Sequence, residues 1–301
     1  MFKLFRRAPT VSAWMDRHLS SVEEQVASGE RKKTTLYNAR ALCRHIAKHI
    51  GDMRMDRIKP PDIMRVVRAM QGQGLFTSAQ RACILLRRLS YEAIEEGVVP
   101  ADCNPARAVR VPRASVQRNR LSLDAWREML DVASRSQYPY IYRAMLLAVV
   151  AGQRRGDIAR MRFEQITDGY LRVEQQKTGA RVAIPLALRC EAIGWSLADV
   201  VDLCRDGNSS QYLLRPAQKD FGRHINPTLL SVRFCGLRKT VLGPWKGEGT
   251  PPTFHEQRSL SERLYAEQGI DTRKLLGHRR QSMTDAYNSD RRLREWVTVP
   301  F

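Results

Sequence analysis

Apolar residues recur at helical spacing over residues 11–97, which predicts a small N-terminal domain of about four helices. Thr34 or Thr35 is placed to cap the second of these helices, and two more helices are expected over residues 61–70 and 78–96. The face that we expect the first helix to bury comprises Val11, Trp14, Met15, His18, Leu19 and Val22.

The helical pattern stops at residues 104–120, which contain prolines and several arginines but no acidic residue. Proline disrupts a regular helix, so we expect an extended basic strap between two domains. The predicted organisation is a helical domain over residues 1–100, a basic linker over 101–120 and a larger domain with a C-terminal tail over 121–301.

The larger domain mixes two periods. Residues 142–150 are mostly apolar and predict a buried helix, whereas residues 170–173 and 181–184 are typical of strands. These strands flank a Lys-Thr-Gly turn, which predicts a β-hairpin with Lys177 at or near its tip. The predicted fold class is therefore mostly α with a small antiparallel β-sheet.

Charge adds a partner to this picture. The 301 residues include 51 lysines and arginines against 31 aspartates and glutamates, a net charge of +20. Such an excess matches a polyphosphate partner, because binding to one releases its condensed counterions. A basic protein that adheres to nucleic acid without specificity, or one that lies on a membrane surface, is an alternative at this point.

The predicted second helix carries a positive stripe, since Arg40, Arg44 and Lys48 follow one another at four-residue intervals. A solvated surface face is the ordinary explanation of such a stripe, and the net charge favours phosphate contact instead. Together with neighbouring residues and the linker arginines, the candidate DNA contacts are Lys32, Lys33, Arg40, Arg44, Lys48, Arg110, Arg113 and Arg118.

Other classes of protein are disfavoured. No apolar segment follows the basic start of the chain, as a secretory signal would require. The longest apolar stretch, residues 144–151, is far shorter than the roughly 20 residues that span a bilayer. The six cysteines include no C-x-x-C pair, so neither a zinc site nor a disulfide framework is indicated. We expect a cytoplasmic protein with reduced thiols and no membrane contact.

Short motifs with chemical potential follow one another in the larger domain: A-G-Q-R-R-G-D at 151–157, Q-K-T-G at 176–179, H-E-Q-R at 255–258, L-L-G-H at 275–278, and then Tyr287. In this order and spacing they resemble the catalytic domain of the tyrosine recombinases, most of all the phage lambda integrase type. Each motif alone is a weak signal, because a lone tyrosine or histidine is ordinarily a packing residue. Their joint order carries the resemblance.

The resemblance implies a role for each matched residue. The implied catalytic residues are Arg154, Lys177, His255, Arg258, His278 and Tyr287, with Asp157 in a supporting position. The two arginines would bind the nonbridging oxygens of the scissile phosphate, and Tyr287 would be the nucleophile. His255 would act as general base, Lys177 as general acid, and His278 would donate a hydrogen bond to the phosphate.

The residue types suit this chemistry. Guanidinium groups neutralise a phosphodiester with fixed, permanently charged donors. A free tyrosine has a pKa of about 10, so Tyr287 must lose its proton to a base in cationic surroundings. A 3′-phosphotyrosine keeps the energy of the broken bond, so rejoining needs no ATP. The sequence has no P-loop or metal-binding cluster, and we expect no cofactor and no metal.

The resemblance also implies partners. Members of the family close on DNA as a C-shaped clamp and exchange strands as homotetramers through a Holliday junction, with accessory DNA-bending or directionality factors. We therefore expect double-stranded DNA with a specific recombination site as the partner, in the nucleoid of a bacterial host. The apolar tail 297–301 is expected to dock on a neighbouring subunit or, alternatively, on its own domain. The early start of the helical domain leads us to expect no arm-site module.

The expected function is integration or excision of a phage or another mobile element. A DNA invertase or a dimer resolvase would use the same chemistry, as would a type IB topoisomerase-like enzyme or a telomere resolvase. The separate N-terminal helical domain argues against the topoisomerase. A non-catalytic DNA-binding regulator is the alternative of a different class, and the presence of all six catalytic residues argues against it.

Overall fold

The chain divides into two units, Met1–Val116 and Gln117–Phe301, each with its own apolar core. The computed structural model describes residues 8–100, 104–112, 118–205, 207, 210–215, 222–247, 249–278 and 280–288, the side chains of 286–288 excepted. Arg113 and the tail 297–301 lie outside the described residues, so their predicted roles stay predictions. Within those ranges, no helix is both long and apolar enough to cross a bilayer.

The described part of the first unit contains the helices α1 (Val11–Ala27), α2 (Lys33–Ile50), α3 (Pro60–Gly72) and α4 (Phe76–Glu95). The indole of Trp14 donates to the carbonyl of Leu89 on α4 (3.2 Å), and His18 contacts Glu92 of the same helix (3.3 Å). The face predicted for α1 is confirmed, with Leu19 partly buried beside the buried residues Val11, Trp14, Met15, His18 and Val22.

The basic stripe lies on the exposed side of α2. The predicted threonine cap is wrong, because the N-cap of α2 is Lys32 and both Thr34 and Thr35 lie within the first helical turn. Arg40 donates to the carboxylate of Glu23 on α1 at 2.6 Å. The predicted DNA contacts of this helix are all exposed: Lys32, Lys33, Arg40, Arg44 and Lys48.

The start of the predicted linker belongs to the first unit. Residues 105–109 form turns and bends, so the predicted extended strap is wrong there. Ala106 and Val109 are buried in the core of the unit, and Arg87 on α4 donates to both of their carbonyls at 3.1 Å. Small apolar residues between the arginines supply this contact, while Arg110 stays exposed.

The second unit is mixed. Its described helices are α5 (Leu123–Ser134), α6 (Pro139–Val150), α7 (Arg155–Ile158), α8 (Leu197–Arg205), α9 (Pro227–Leu242), α10 (Glu256–Glu267), α11 (Thr272–Leu276) and α12 (Gln281–Asn288). Its strands are β1 (Ile166–Thr167), β2 (Tyr170–Glu174), β3 (Arg181–Pro185), β4 (Arg189–Cys190) and β5 (Trp195–Ser196). They form an antiparallel sheet of order β1-β2-β3 and a separate pair β4-β5, which confirms the predicted fold class.

The hairpin β2–β3 has one buried face. Leu171 pairs with Ile184 and Val173 with Val182, and these four side chains are buried while their neighbours along each strand are exposed. The wholly apolar end of α6 lies at the centre of the core and contacts α5, α8, α9 and α10. The turn between β2 and β3 contains Lys177, which is exposed at the surface as predicted.

Helix α10 is unusual because most of its buried residues are polar. Buried polar groups need partners, and several of those on α10 find them in the segments around the helix. Glu256 pairs with Arg120 (2.9 Å), and Gln257 accepts from the indole of Trp126 (2.9 Å). Arg263 donates to the carbonyl of Leu121 (2.7 Å). These bonds fix the register of α10 against the beginning of the second unit.

Candidate active site

A pocket of about 630 Å³ in the second unit brings together side chains that are far apart in the sequence. Four of the six predicted catalytic residues line it, and so does one predicted DNA contact, Arg118. The four are Arg154, Lys177, His255 and His278.

Arg154 occupies the N-cap position of α7, where its extended backbone (ψ 150°) precedes the helical turn. Its Nη1 donates to Oε1 of Gln175, a fully buried side chain at the end of β2. A neutral acceptor, the amide oxygen of Gln175, thus holds the guanidinium of Arg154, which also lines the pocket.

Lys177 is held through the backbone of its turn. Asp157, buried on α7, accepts a hydrogen bond at Oδ1 from the amide of Gln176 (2.9 Å). Gly179, with φ +66°, donates its amide to the carbonyl of Gln175 (2.8 Å) and closes the turn. Asp157 therefore connects the turn of Lys177 to the helix that follows Arg154.

Arg258 is buried beside the pocket, with 1% of its surface exposed. It donates to the carbonyls of Gly152 (2.7 Å) and Leu276 (2.5 Å), and its Nη2 lies 3.1 Å from Nε2 of His278. Because a guanidinium only donates, Nε2 accepts, and Nδ1 carries the proton towards Thr284 Oγ1 at 3.1 Å. A hydrogen bond from Nε2 to a phosphate requires the other tautomer, so that role of His278 stays a prediction.

His255 and His278 are both held neutral at pH 7. Burial makes the largest contribution for each, and the charges of Arg258 and Arg154 add to it. Arg118 and Lys177 further disfavour the charged form of His255. The pKa of each histidine is lowered to about 4. A neutral imidazole can accept a proton, as a general base must.

The helix α12 carries Tyr287 and runs along the pocket. Met283 on this helix lines the pocket, and Thr284 is buried against His278. The same helix packs on α10 and α11. The side chain of Tyr287 lies outside the described part of the chain.

Sequence reasoning missed two further cations of the pocket. Arg155 donates to Ser231 Oγ on α9, and Arg238 on the same helix donates to the carbonyl of Pro252 (2.8 Å). Arg155 is the second arginine of the 151–157 motif, for which the resemblance implied no role, and Arg238 lies outside every motif. Only their place in the folded unit identifies both as cations of the pocket.

The structural role of Gln175 was missed as well, although the sequence contained a signal for it. Leu171 and Val173 point into the core, so the period of two places residue 175 inward too. A polar side chain at an inward position of a strand requires buried partners.

The pocket presents permanent positive charge next to neutral imidazoles. This combination suits a tetrahedral oxyanion such as a phosphodiester, which arginines bind with several parallel hydrogen bonds. Among the described residues, no group of three or more histidine, cysteine, aspartate or glutamate side chains is placed to hold a metal ion.

The second unit matches a known family. The model of the phage integrase family matches residues 119–294. The chain is 41% identical to the prophage integrase IntE of Escherichia coli (strain K12) over 289 residues, which cover 95% of this chain and 76% of that protein.

Solved structures extend the likeness to the whole chain. A lambda integrase dimer bound to a COC′ core site is 33% identical, with a TM-score of 0.86 over 98% of this chain and 81% of that one. A lambda integrase tetramer bound to a Holliday junction gives the same TM-score of 0.86 and 33% identity over 97% of this chain and 81% of that one.

Proposed function

The chain belongs to the phage integrase family, and on that premise we propose that it is a site-specific tyrosine recombinase that cleaves and rejoins DNA through Tyr287. The observation that carries the proposal is the convergence of Arg154, Lys177, His255 and His278 on one pocket that the helix of Tyr287 adjoins. The expected outcome is integration or excision of a phage or another mobile element, in line with the name of the prophage relative.

In the proposed cleavage step, Oη of Tyr287 attacks the scissile phosphorus and the bond from phosphorus to the 5′-oxygen breaks. The tyrosine proton passes to His255, which is neutral at pH 7. A bound phosphate offsets the cationic charges that disfavour imidazolium and so makes His255 a better base. The 5′-oxygen takes a proton from Lys177 and leaves as a hydroxyl, and the 3′-phosphate stays on Tyr287.

Arg154 and Arg258 are the proposed partners of the two nonbridging oxygens, whose charge they would neutralise in the transition state. Arg258 reaches this role if a phosphate competes for the donors that now serve carbonyls and His278. His278 is proposed to donate to the same phosphate, and Asp157 supports the turn of Lys177. Rejoining reverses these steps with a new 5′-hydroxyl, so no nucleotide is consumed.

On the same premise, the partner is a double-stranded recombination site, bound by a homotetramer that resolves a Holliday junction. Lambda integrase structures on a core site and on a junction support this proposal. The exposed cations of α2, with Arg110 and Arg118, are the proposed phosphate contacts. The tail 297–301 is proposed to dock on a neighbouring subunit. We place the protein in the nucleoid of a bacterial cytoplasm, with accessory DNA-bending factors.

The test works without a defined recombination site. A pool of suicide duplexes is nicked at a fixed position, randomised around it, and incubated with the full chain. On cleavage, the short fragment beyond the nick diffuses away and traps the covalent complex. We expect an SDS-stable adduct that yields one preferred sequence after repeated selection. Failure to recover any adduct, or an adduct that persists in Tyr287→Phe, would refute the mechanism.

A further inference from the structure

We propose that Gln175 is a positioning residue for strand cleavage, which holds the guanidinium of Arg154 in its working orientation. The inference rests on the proposed recombinase function and adds to it a residue outside the predicted catalytic set. Gln175 is fully buried at the end of β2, two residues before Lys177. Glutamine is mostly found at exposed positions, so its burial here points to a structural role.

The carboxamide of Gln175 uses its whole hydrogen-bonding capacity. Oε1 accepts from Nη1 of Arg154 and from Oγ1 of Thr178 (2.9 Å). Nε2 donates to Oε1 of Gln153 (2.8 Å) and to the carbonyl of Leu276 (2.9 Å). An amide offers two donors and an oxygen with two lone pairs, so all four places are filled. A side chain held at four points has one orientation.

The bonds of this amide reach the segments that carry the catalytic residues. Thr178 is in the turn of Lys177, and the carbonyl of Leu276 also accepts from Nη2 of Arg258. Gly277 follows in a left-handed conformation (φ +61°), and a Cβ there would lie 2.9 Å from Nε2 of Gln175. The backbone of Gly277, directly before His278, therefore packs closely against the amide of Gln175.

A neutral amide suits the task better than the alternatives of similar size. A carboxylate would pair with Arg154 and cancel the charge that a phosphate is to meet. It would also set an oxygen where Nε2 now donates to Gln153 and Leu276. A thioether would fill the space without orienting the guanidinium. Gln175 fixes the direction of Arg154 and leaves its charge available, which is the requirement for preorganised transition-state stabilisation.

The experiment compares Gln175→Met, which keeps the length, and Gln175→Glu, which keeps the shape. The matched control is Gln268→Met, since Gln268 also bridges two segments of the second unit, by bonds to the amide of Glu191 and the carbonyl of Arg189 (3.1 Å each). Single-turnover cleavage and binding are measured on the suicide duplex recovered in the selection described above. Each variant is assayed below its own unfolding midpoint.

We expect both Gln175 variants to cleave about 10- to 100-fold more slowly than the wild type, with DNA affinity changed less than about threefold. Gln268→Met should cleave at the wild-type rate. A charge-free methylphosphonate at the scissile position then tests whether the defect acts through Arg154. Because the charge that Arg154 neutralises is absent there, the deficit of Gln175→Met should shrink at least about tenfold, as that of Arg154→Ala should.

The outcomes separate the two proposals. No adduct from the wild type counts against the recombinase function itself. A wild-type adduct together with an unimpaired Gln175→Glu overturns the positioning role alone, because shape without the amide would then suffice. A deficit that is the same on the phosphodiester and on the methylphosphonate also overturns it, since a general packing defect would not depend on the charge of the substrate.

Discussion

The buried ion pair between Arg120 and Glu256 gives a sharp prediction about how the second unit is held together. Nη1 and Oε2 lie 2.9 Å apart, and the two side chains are only 4% and 5% exposed. Arg120→Met keeps most of the side-chain volume and removes the guanidinium nearest to Glu256. Breaking one side of a buried pair destabilises a protein by about 3–5 kcal/mol, because the remaining charge cannot be hydrated.

The surroundings of Glu256 set the expected value at the lower end of that range. Arg118 provides a second cation 4.0 Å from Oε1, but its side chain is 42% exposed and hence screened by solvent. We expect Arg120→Met to lower the free energy of unfolding by about 3 kcal/mol. In a unit of this size, that corresponds to a fall of roughly 6–12 °C in the Tm of its transition.

Thermal and urea unfolding, followed by circular dichroism, measure this effect. The matched control is Arg135→Met, because Arg135 forms an ion pair with Asp131 in which both side chains are well exposed (70% and 62%). Removing this pair should lower the free energy of unfolding by at most about 1 kcal/mol. The double variant Arg120→Met/Glu256→Met contains no isolated buried charge and should recover at least half of the loss. A loss no larger than that of the control, or a double variant less stable than Arg120→Met, would refute the reasoning.

Three further predictions concern the candidate active site. Gly277→Ala should lower the free energy of unfolding by about 1–2 kcal/mol and slow cleavage, because a left-handed alanine is strained and its Cβ meets the buried amide of Gln175. Gly269→Ala is the control, since Gly269 is also left-handed (φ +76°) but has open space around it, and this variant should cleave normally in the adduct assay. His255 and His278 have native pKa values of about 4 against about 6.5 unfolded, so the unfolded chain binds more protons in between, and stability measured by urea unfolding should fall as pH drops from about 6.5 to 4; a flat profile would contradict this. Cys235 is partly exposed in the pocket, so its modification by a thiol reagent should be slowed by cognate DNA; equal rates with and without DNA would place the thiol away from the bound phosphate.

The sequence predicts those parts of the fold in which local spacing decides the outcome. The buried face of α1 and the hairpin around Lys177 both follow from a regular period with little interference from tertiary contacts. Residues 105–109 show the limit of this reasoning. Their composition is that of a solvated strap, and only the bonds from Arg87 and the burial of Val109 reveal that the segment packs.

The candidate site shows the same division. The order of the motifs is enough to predict that Arg154, Lys177, His255 and His278 lie together, and all four line one pocket. The bonds that orient these side chains come from elsewhere in the sequence, and no local pattern specifies them. Helix α10 is a further case, because a stretch so rich in charge is ordinarily predicted to face solvent, whereas its polar residues are buried among partners.

Several bonds that hold the second unit together join residues that are synthesised at very different times. Arg258 meets Gly152 across 106 residues, Gln175 meets Leu276 across 101, and Arg120 meets Glu256 across 136. A ribosome produces the earlier partner of each pair seconds before the later one. A nascent chain therefore contains Arg154 and Lys177 before the later contacts of the pocket exist and before the proposed nucleophile, Tyr287, has been added. The proposed strand cleavage becomes possible only after the chain has been synthesised as far as Tyr287.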